Sequence, residues 1–230
     1  MIEIAKHRAV LEALGLTTLG GVKAYTGQPL KTHRGKRDVF RIEIPGATLF
    51  LKRNWSPHKK DGLASLLKTG KVHSVAKREW DNSLRLQRAG IRTAELVAFG
   101  EDCGLLWENF SFIITEVAPG KPLSESFVKL DELAKEIRKM HDAGLFTPDL
   151  FTRHIFVSDQ FTLIDMARLD DGPPERDLAA LNVTTPLKQI SAKQRLRFLQ
   201  VYGRPELFRP IERRVRYLLK HRRKFSQFAQ

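Results

Sequence analysis

Close to residue 118 the apolar residues of this chain change period, and few folds accommodate such a change. Before that point, short stretches such as "DVFRIEI" (38–44) and "TLFLKR" (48–53) alternate apolar and polar residues or run apolar, with breaks at Gly27, Gly35 and "IPGA". "VKAYT" (22–26) reads as a further strand, as do "AELVAFGED" and "FSFIITEV". One helix interrupts them, "VAKREWDNSLRLQRAG", with Val75, Trp80, Leu84 and Leu86 apolar and Gly90 as its stop. After "EVAPGKP" the spacing turns helical. "LDELAKEIRKMHDAG" sets Leu130, Leu133, Ala134, Ile137, Met140 and His141 on one face and closes at Gly144. "SAKQRLRFLQVYG" and "PIERRVRYLLKHRRKF" follow. Strands first and helices after predict an α+β chain in two lobes, 1–118 β-rich and 119–230 helical, with a ligand cleft between them.

The bulk properties narrow the setting. A chain of 230 residues, 42% of them hydrophobic, can bury a core, and its only cysteine, Cys103, cannot form an internal disulfide. No apolar run is long enough to span a bilayer, and "MIEIAKHRAV" lacks a signal peptide's apolar core, so a cytoplasmic protein is expected. Net charge is +14, and +11 of it lies from Lys188 to Gln230, where 13 basic residues face two acids, Glu206 and Glu212. That density points to an anionic partner, with a solvated helix face as the plainer reading. Nucleic acid is disfavoured, because interleaved aromatics and a groove-reading motif are missing.

Chemistry concentrates in "MHDAGLFTPDLFTRHIFV" (140–157) and the "LIDMA" that follows. Asp149 sits in a polar turn. "IFV" and "TLI" read as a hairpin around "SDQF", and Asp165 follows the second strand. Two carboxylates at the two ends of one hairpin suit a base beside a divalent metal. Phosphoryl transfer needs that pair, together with a cation for the phosphates. "TLFLKR" supplies Lys52 at a strand end and "AKREW" supplies Glu79 on the next helix, so Lys52, Glu79, Asp149 and Asp165 follow the order of the protein-kinase signature set.

The stretches "TLFLKR", "AKREWDNSLRLQRAGIRTAELVAFGE", "FIITEVAPGKPL", "MHDAGLFTPDLFTRHIFV", "TLIDMARL" and "RDLAALN" together resemble the lipopolysaccharide core heptose and Kdo kinases, small relatives of the protein kinases. The resemblance runs from about residue 20 to 200 and implies a bilobal protein-kinase-like fold. It also implies an ATP- and magnesium-dependent kinase of a sugar hydroxyl in the lipopolysaccharide inner core. On this resemblance Lys52 contacts the ATP phosphates and Glu79 holds its ammonium. Asp165 chelates Mg2+, Asp149 orients the sugar hydroxyl's proton, and the Glu116 carbonyl and Ala118 amide bind adenine. Asp177 buttresses the catalytic loop.

Three departures from the protein-kinase pattern matter. His154 stands where those kinases carry a metal-binding Asn, and it is either a metal or phosphate contact or a packed histidine. "TPD" replaces H-R-D, with Thr147 and Pro148 for His and Arg, which argues against control by activation-loop phosphorylation. Only about a dozen residues separate Asp165 from Arg176, too few to dock a protein substrate. The nucleotide loop "TGQPLKTHRGKRDVF" has no G-x-G-x-x-G. Its Lys31, Arg34, Lys36 and Arg37 are phosphate contacts, acceptor contacts or an exposed hairpin tip. In "RNWSPHKKDG", Trp55 could stack on a sugar beside His58, Lys59 and Lys60, though packing is its commoner role.

The expected partners are the lipopolysaccharide core glycan and an anionic membrane surface gripped by the basic C-terminal helices, at the inner face of the cytoplasmic membrane. Two alternatives remain: a kinase of another small molecule or of protein in the same fold, and a pseudokinase or membrane-binding scaffold.

Overall fold

A computed structural model describes residues 1–33, 36–55, 70–125, 127–185, 190–221 and 225. The chain divides into two compact units, Met1–Leu84 with Ala94–Val117, and Arg85–Thr93 with Ala118–Gln230.

Among the described residues the first unit is built on six antiparallel strands: β1 (Ile2–Ile4), β2 (Pro29–His33), β3 (Arg37–Ile44), β4 (Ala47–Trp55), β5 (Leu96–Cys103) and β6 (Glu108–Glu116), in the order β1-β5-β6-β4-β3-β2. Alternation along the central strands divides their side chains between two faces. Leu49 and Leu51 of β4 join Phe110, Phe112 and Ile114 of β6 in one cluster, which is closed by Leu11 and Val22 of the short helices α1 (Arg8–Ala13) and α2 (Leu19–Ala24). Ile113 and Phe99 point the other way and meet Ala76 and Trp80 of helix α3 (Val75–Arg88).

One sequence expectation changes here. "VKAYT" is not a strand, since Val22 to Ala24 end α2. The Thr18 hydroxyl accepts from the Gly21 amide at 3.0 Å to start that helix, and Arg53 donates to the carbonyls of Val22, Lys23 and Tyr25 at 2.9–3.0 Å to finish it. Tertiary contact thus overrides the strand propensity of a five-residue segment. The segment "TGQPLKTHRGKRDVF" forms the arms of a hairpin, one of its expected readings, with Lys31 paired to Val39 and His33 to Arg37. Arg34 and Gly35 lie outside the described residues, as do His58, Lys59 and Lys60.

Helix α3 begins where expected. The Ser74 hydroxyl accepts from the Lys77 amide at 2.9 Å, and the Glu108 carboxylate accepts from the Val75 amide at 2.9 Å. Gly90, at φ 71°, ends it.

The second unit is mainly helical. Among the described residues its α-helices are α4 (Leu130–Asp142), α5 (Pro174–Val183), α6 (Ala192–Tyr202) and α7 (Phe208–His221). Leu133, Ile137, Leu178, Leu199 and Ile211 carry one shared core through all four. A small sheet, β7 (Lys121–Pro122), β8 (Ile155–Val157) and β9 (Phe161–Leu163), sits in this unit, and β8 with β9 form the expected hairpin in the register Ile155 to Leu163. Its turn is tighter than "SDQF", because Phe161 is already in the second strand and buried.

Candidate active site

In the first unit, Lys52 stands not at a strand end but mid-strand, because the pairing of β4 continues to Trp55; it lies between Val39 and Ile113, on the face of the sheet that α3 covers. Glu79 lies on α3 one turn from Ala76 and beside Trp80, so its carboxylate faces the same sheet. The two close at 2.8 Å with side-chain exposures of 11% and 6%. Charges buried this deeply are costly unless they are paired, and here each is the other's partner.

Glu116 ends β6. Its carboxylate is occupied locally, 3.0 Å from His7 Nε2 and 3.6 Å from Lys6 Nζ, so any ligand contact falls to its backbone. Ala118 is buried, and among the described residues its amide donates to no backbone carbonyl. Trp55 is committed to packing: its indole N–H donates to Asp38 at 2.9 Å and its ring tilts against Phe110 at 4.7 Å.

In the second unit, α4 closes at Gly144, and Phe146 then pairs with Asp170 in both directions at 3.0 and 3.2 Å. The turn that follows holds Asp149 by three groups. Its amide donates to Thr147 Oγ1 at 3.2 Å, its carbonyl accepts from His154 Nδ1 at 2.9 Å, and its carboxylate accepts from Arg168 Nε at 2.6 Å and from Arg168 Nη2.

The carbonyl fixes the imidazole tautomer. Nδ1 carries the proton, and Nε2 accepts from Arg153 Nε at 3.2 Å while lying 3.9 Å from Asp165 Oδ2. His154 therefore links the two carboxylate residues, and burial holds its pKa below the ordinary value, so it is neutral near pH 7. Asp165 sits at φ 60°, a left-handed conformation that only glycine adopts freely and that concentrates at functional sites.

Below the turn, Asp177 is fully buried. It accepts from the Thr147 amide at 2.5 Å and from Arg176 Nε at 3.0 Å, and His141 Nε2 lies 3.4 Å away. Arg176 also forks onto Asp170, which ties down the short segment after Asp165.

Sequence reasoning missed Arg168. The only signal was a cation three residues beyond Asp165, and nothing in that spacing names a partner nineteen residues upstream.

Among the described residues no three His, Cys, Asp or Glu side chains gather into a metal cage. Magnesium, however, is usually held by one or two carboxylates, with phosphates and waters completing six oxygens. Asp165 with His154 alongside fits a cation that arrives with a nucleotide.

The fold is that of the protein-kinase-like phosphotransferases. WaaP solved in complex with acyl carrier protein aligns over 99% of this chain and 100% of its own, with a TM-score of 0.65 at 24% identity. Spectinomycin phosphotransferase APH(9)-Ia, solved with ADP and spectinomycin, gives 0.60 at 11% identity over 98% of this chain and 90% of its own. The type VIII aminoglycoside-3'-phosphotransferase gives 0.58 at 17% identity over 83% and 94%.

Residues 31–202 match the lipopolysaccharide kinase (Kdo/WaaP) family, and the chain belongs to it. The lipopolysaccharide core heptose(I) kinase WaaP of Pseudomonas aeruginosa is 30% identical over 81% of this chain and 80% of its own length. The heptose(I) kinase of Escherichia coli K12 is 26% identical over 88% and 87%. The protein is thus a phosphotransferase acting on a sugar hydroxyl, of the lipopolysaccharide-core kinase type.

Proposed function

We propose that this protein transfers the γ-phosphate of ATP to a heptose or Kdo hydroxyl of the lipopolysaccharide inner core, with heptose favoured by the heptose(I) kinases among its relatives. The observation that carries the reading is the buried Lys52–Glu79 pair at 2.8 Å. A scaffold would gain as much stability from an apolar pair there, whereas a positioned ammonium is what a nucleotide phosphate requires.

In this reading Glu79 holds Lys52 against the phosphates of ATP, and the backbone of Glu116 and Ala118 receives the adenine. Asp149 accepts the proton of the attacking hydroxyl from a turn that Asp177 and His154 keep rigid. Asp165, with His154 beside it, would hold Mg2+. Bound there, the metal would supply charge neutralisation at the phosphates. The short, tied segment from Asp165 to Asp177 supports a glycan acceptor over a protein one.

No described helix is long and apolar enough to cross a membrane. The cationic surface of α7, with Arg209, Arg213 and Arg216 along one groove, would hold the enzyme at the anionic inner face of the cytoplasmic membrane, where the glycolipid acceptor is met. Labelled γ-phosphate, Mg2+ and lipopolysaccharide lacking core phosphate test the proposal, with Asp149→Ala as control. Label in the core glycan from wild type only supports it, and ATP binding without transfer to any core glycan refutes the acceptor.

A further inference from the structure

The Asp149 carboxylate carries a guanidinium that none of the expected roles uses. Arg168 reaches back nineteen residues and places Nε on one carboxylate oxygen and Nη2 on the other, a two-pronged contact. The exposures are unequal: the Asp149 side chain is 15% exposed and that of Arg168 55%. A pair as open as this contributes little to folding, because water screens it and a long side chain must be immobilised. Its value has to lie in geometry.

A carboxylate in a turn can rotate about its terminal torsion. The amide and carbonyl contacts of Asp149 fix its backbone and leave that rotation open. The planar fork of Arg168 closes it and leaves each oxygen a further lone pair for an incoming hydroxyl.

We propose that Arg168 is the positioning residue for Asp149, fixing the plane of its carboxylate so that a free lone pair meets the acceptor hydroxyl. The inference rests on Asp149 acting as the base of the proposed kinase reaction. The role belongs to the guanidinium fork rather than to positive charge, so lysine, a single point donor, does not replace it.

The test measures steady-state transfer to the core glycan by wild type, Arg168→Ala, Arg168→Lys, Asp149→Ala and the double variant Arg168→Ala/Asp149→Ala. Guanidinium chloride is then titrated at concentrations that leave the melting curves unchanged. Arg168→Ala is expected to lose about 100-fold in kcat, as misplacement of a reacting group does, with KM for ATP changed less than about threefold. Arg168→Lys stays close to Ala. Free guanidinium recovers kcat in Arg168→Ala, which leaves an open, solvent-facing gap, and recovers nothing in the double variant.

Full activity in Arg168→Ala overturns the proposal, as does recovery by lysine, guanidinium recovery without Asp149, or loss of a cooperative melt. A fully active Asp149→Ala brings down the role of Asp149 itself. An inactive Asp149→Ala beside a fast Arg168→Ala removes only Arg168.

Discussion

Replacing Glu79 by Ala should destabilise the protein more than any exposed charge substitution, for a reason that lies in burial. Lys52 and Glu79 are 11% and 6% exposed and meet at 2.8 Å, between the sheet and the helix that carries Trp80. Removing the carboxylate leaves the Lys52 ammonium without this counter-charge in a site with little water. Breaking one side of a buried pair costs about 3–5 kcal/mol. In a domain of this size each kcal/mol lowers Tm by roughly 2–4 °C, so a fall of about 6–20 °C is expected. Lys52→Met/Glu79→Leu removes both charges and keeps apolar volume, and should recover stability to within about 1 kcal/mol of wild type or exceed it. Its kinase activity should remain abolished. Calorimetry or near-UV circular dichroism melts, with nucleotide binding measured alongside, provide the readout. A single variant within about 1 kcal/mol of wild type would refute the buried-charge reasoning, and so would a double variant as unstable as the sum of its singles.

Four further outcomes are expected. Asp177→Ala leaves the Thr147 amide and Arg176 Nε without their acceptor inside the second unit, and should cost about 2–3 kcal/mol in denaturant melts as well as slowing transfer. Because burial holds His154 below its ordinary pKa, the unfolded chain protonates first as pH falls. Its contribution is therefore present above about 6.5 and lost on acidification below that value, and His154→Gln should flatten the dependence of Tm on pH there. Burial and the neighbouring Glu101 push the Cys103 thiol up to about 12, so iodoacetamide at pH 8 should alkylate the native protein about a thousandfold more slowly than a free thiol, with urea restoring the ordinary rate. Asp165→Ala should weaken magnesium-dependent nucleotide binding, measured by calorimetry, while nucleotide binding without the metal changes little.

Local pattern carried most of this fold, since period-2 and period-3.6 spacing are properties of the chain itself. It located helix α3 between Ser74 and Gly90, the hairpin of β8 and β9, and helices α4, α6 and α7 of the second unit. The spacing of "TLFLKR", "REW", "TPD" and "IDMA" likewise put Lys52, Glu79, Asp149 and Asp165 on the right kinds of element, because each needs only its immediate neighbours to define a strand, a helix or a turn. What the sequence could not hold were contacts between segments far apart in it. Arg53 reaching the carbonyls of Val22, Lys23 and Tyr25 turned an expected strand into the end of a helix. His154 spending Nδ1 on a backbone carbonyl fixed its tautomer, and Arg168 closing on Asp149 gave that carboxylate its orientation. A hydrogen bond depends on distance and angle in space, and neither is written in the order of residues until the chain has packed.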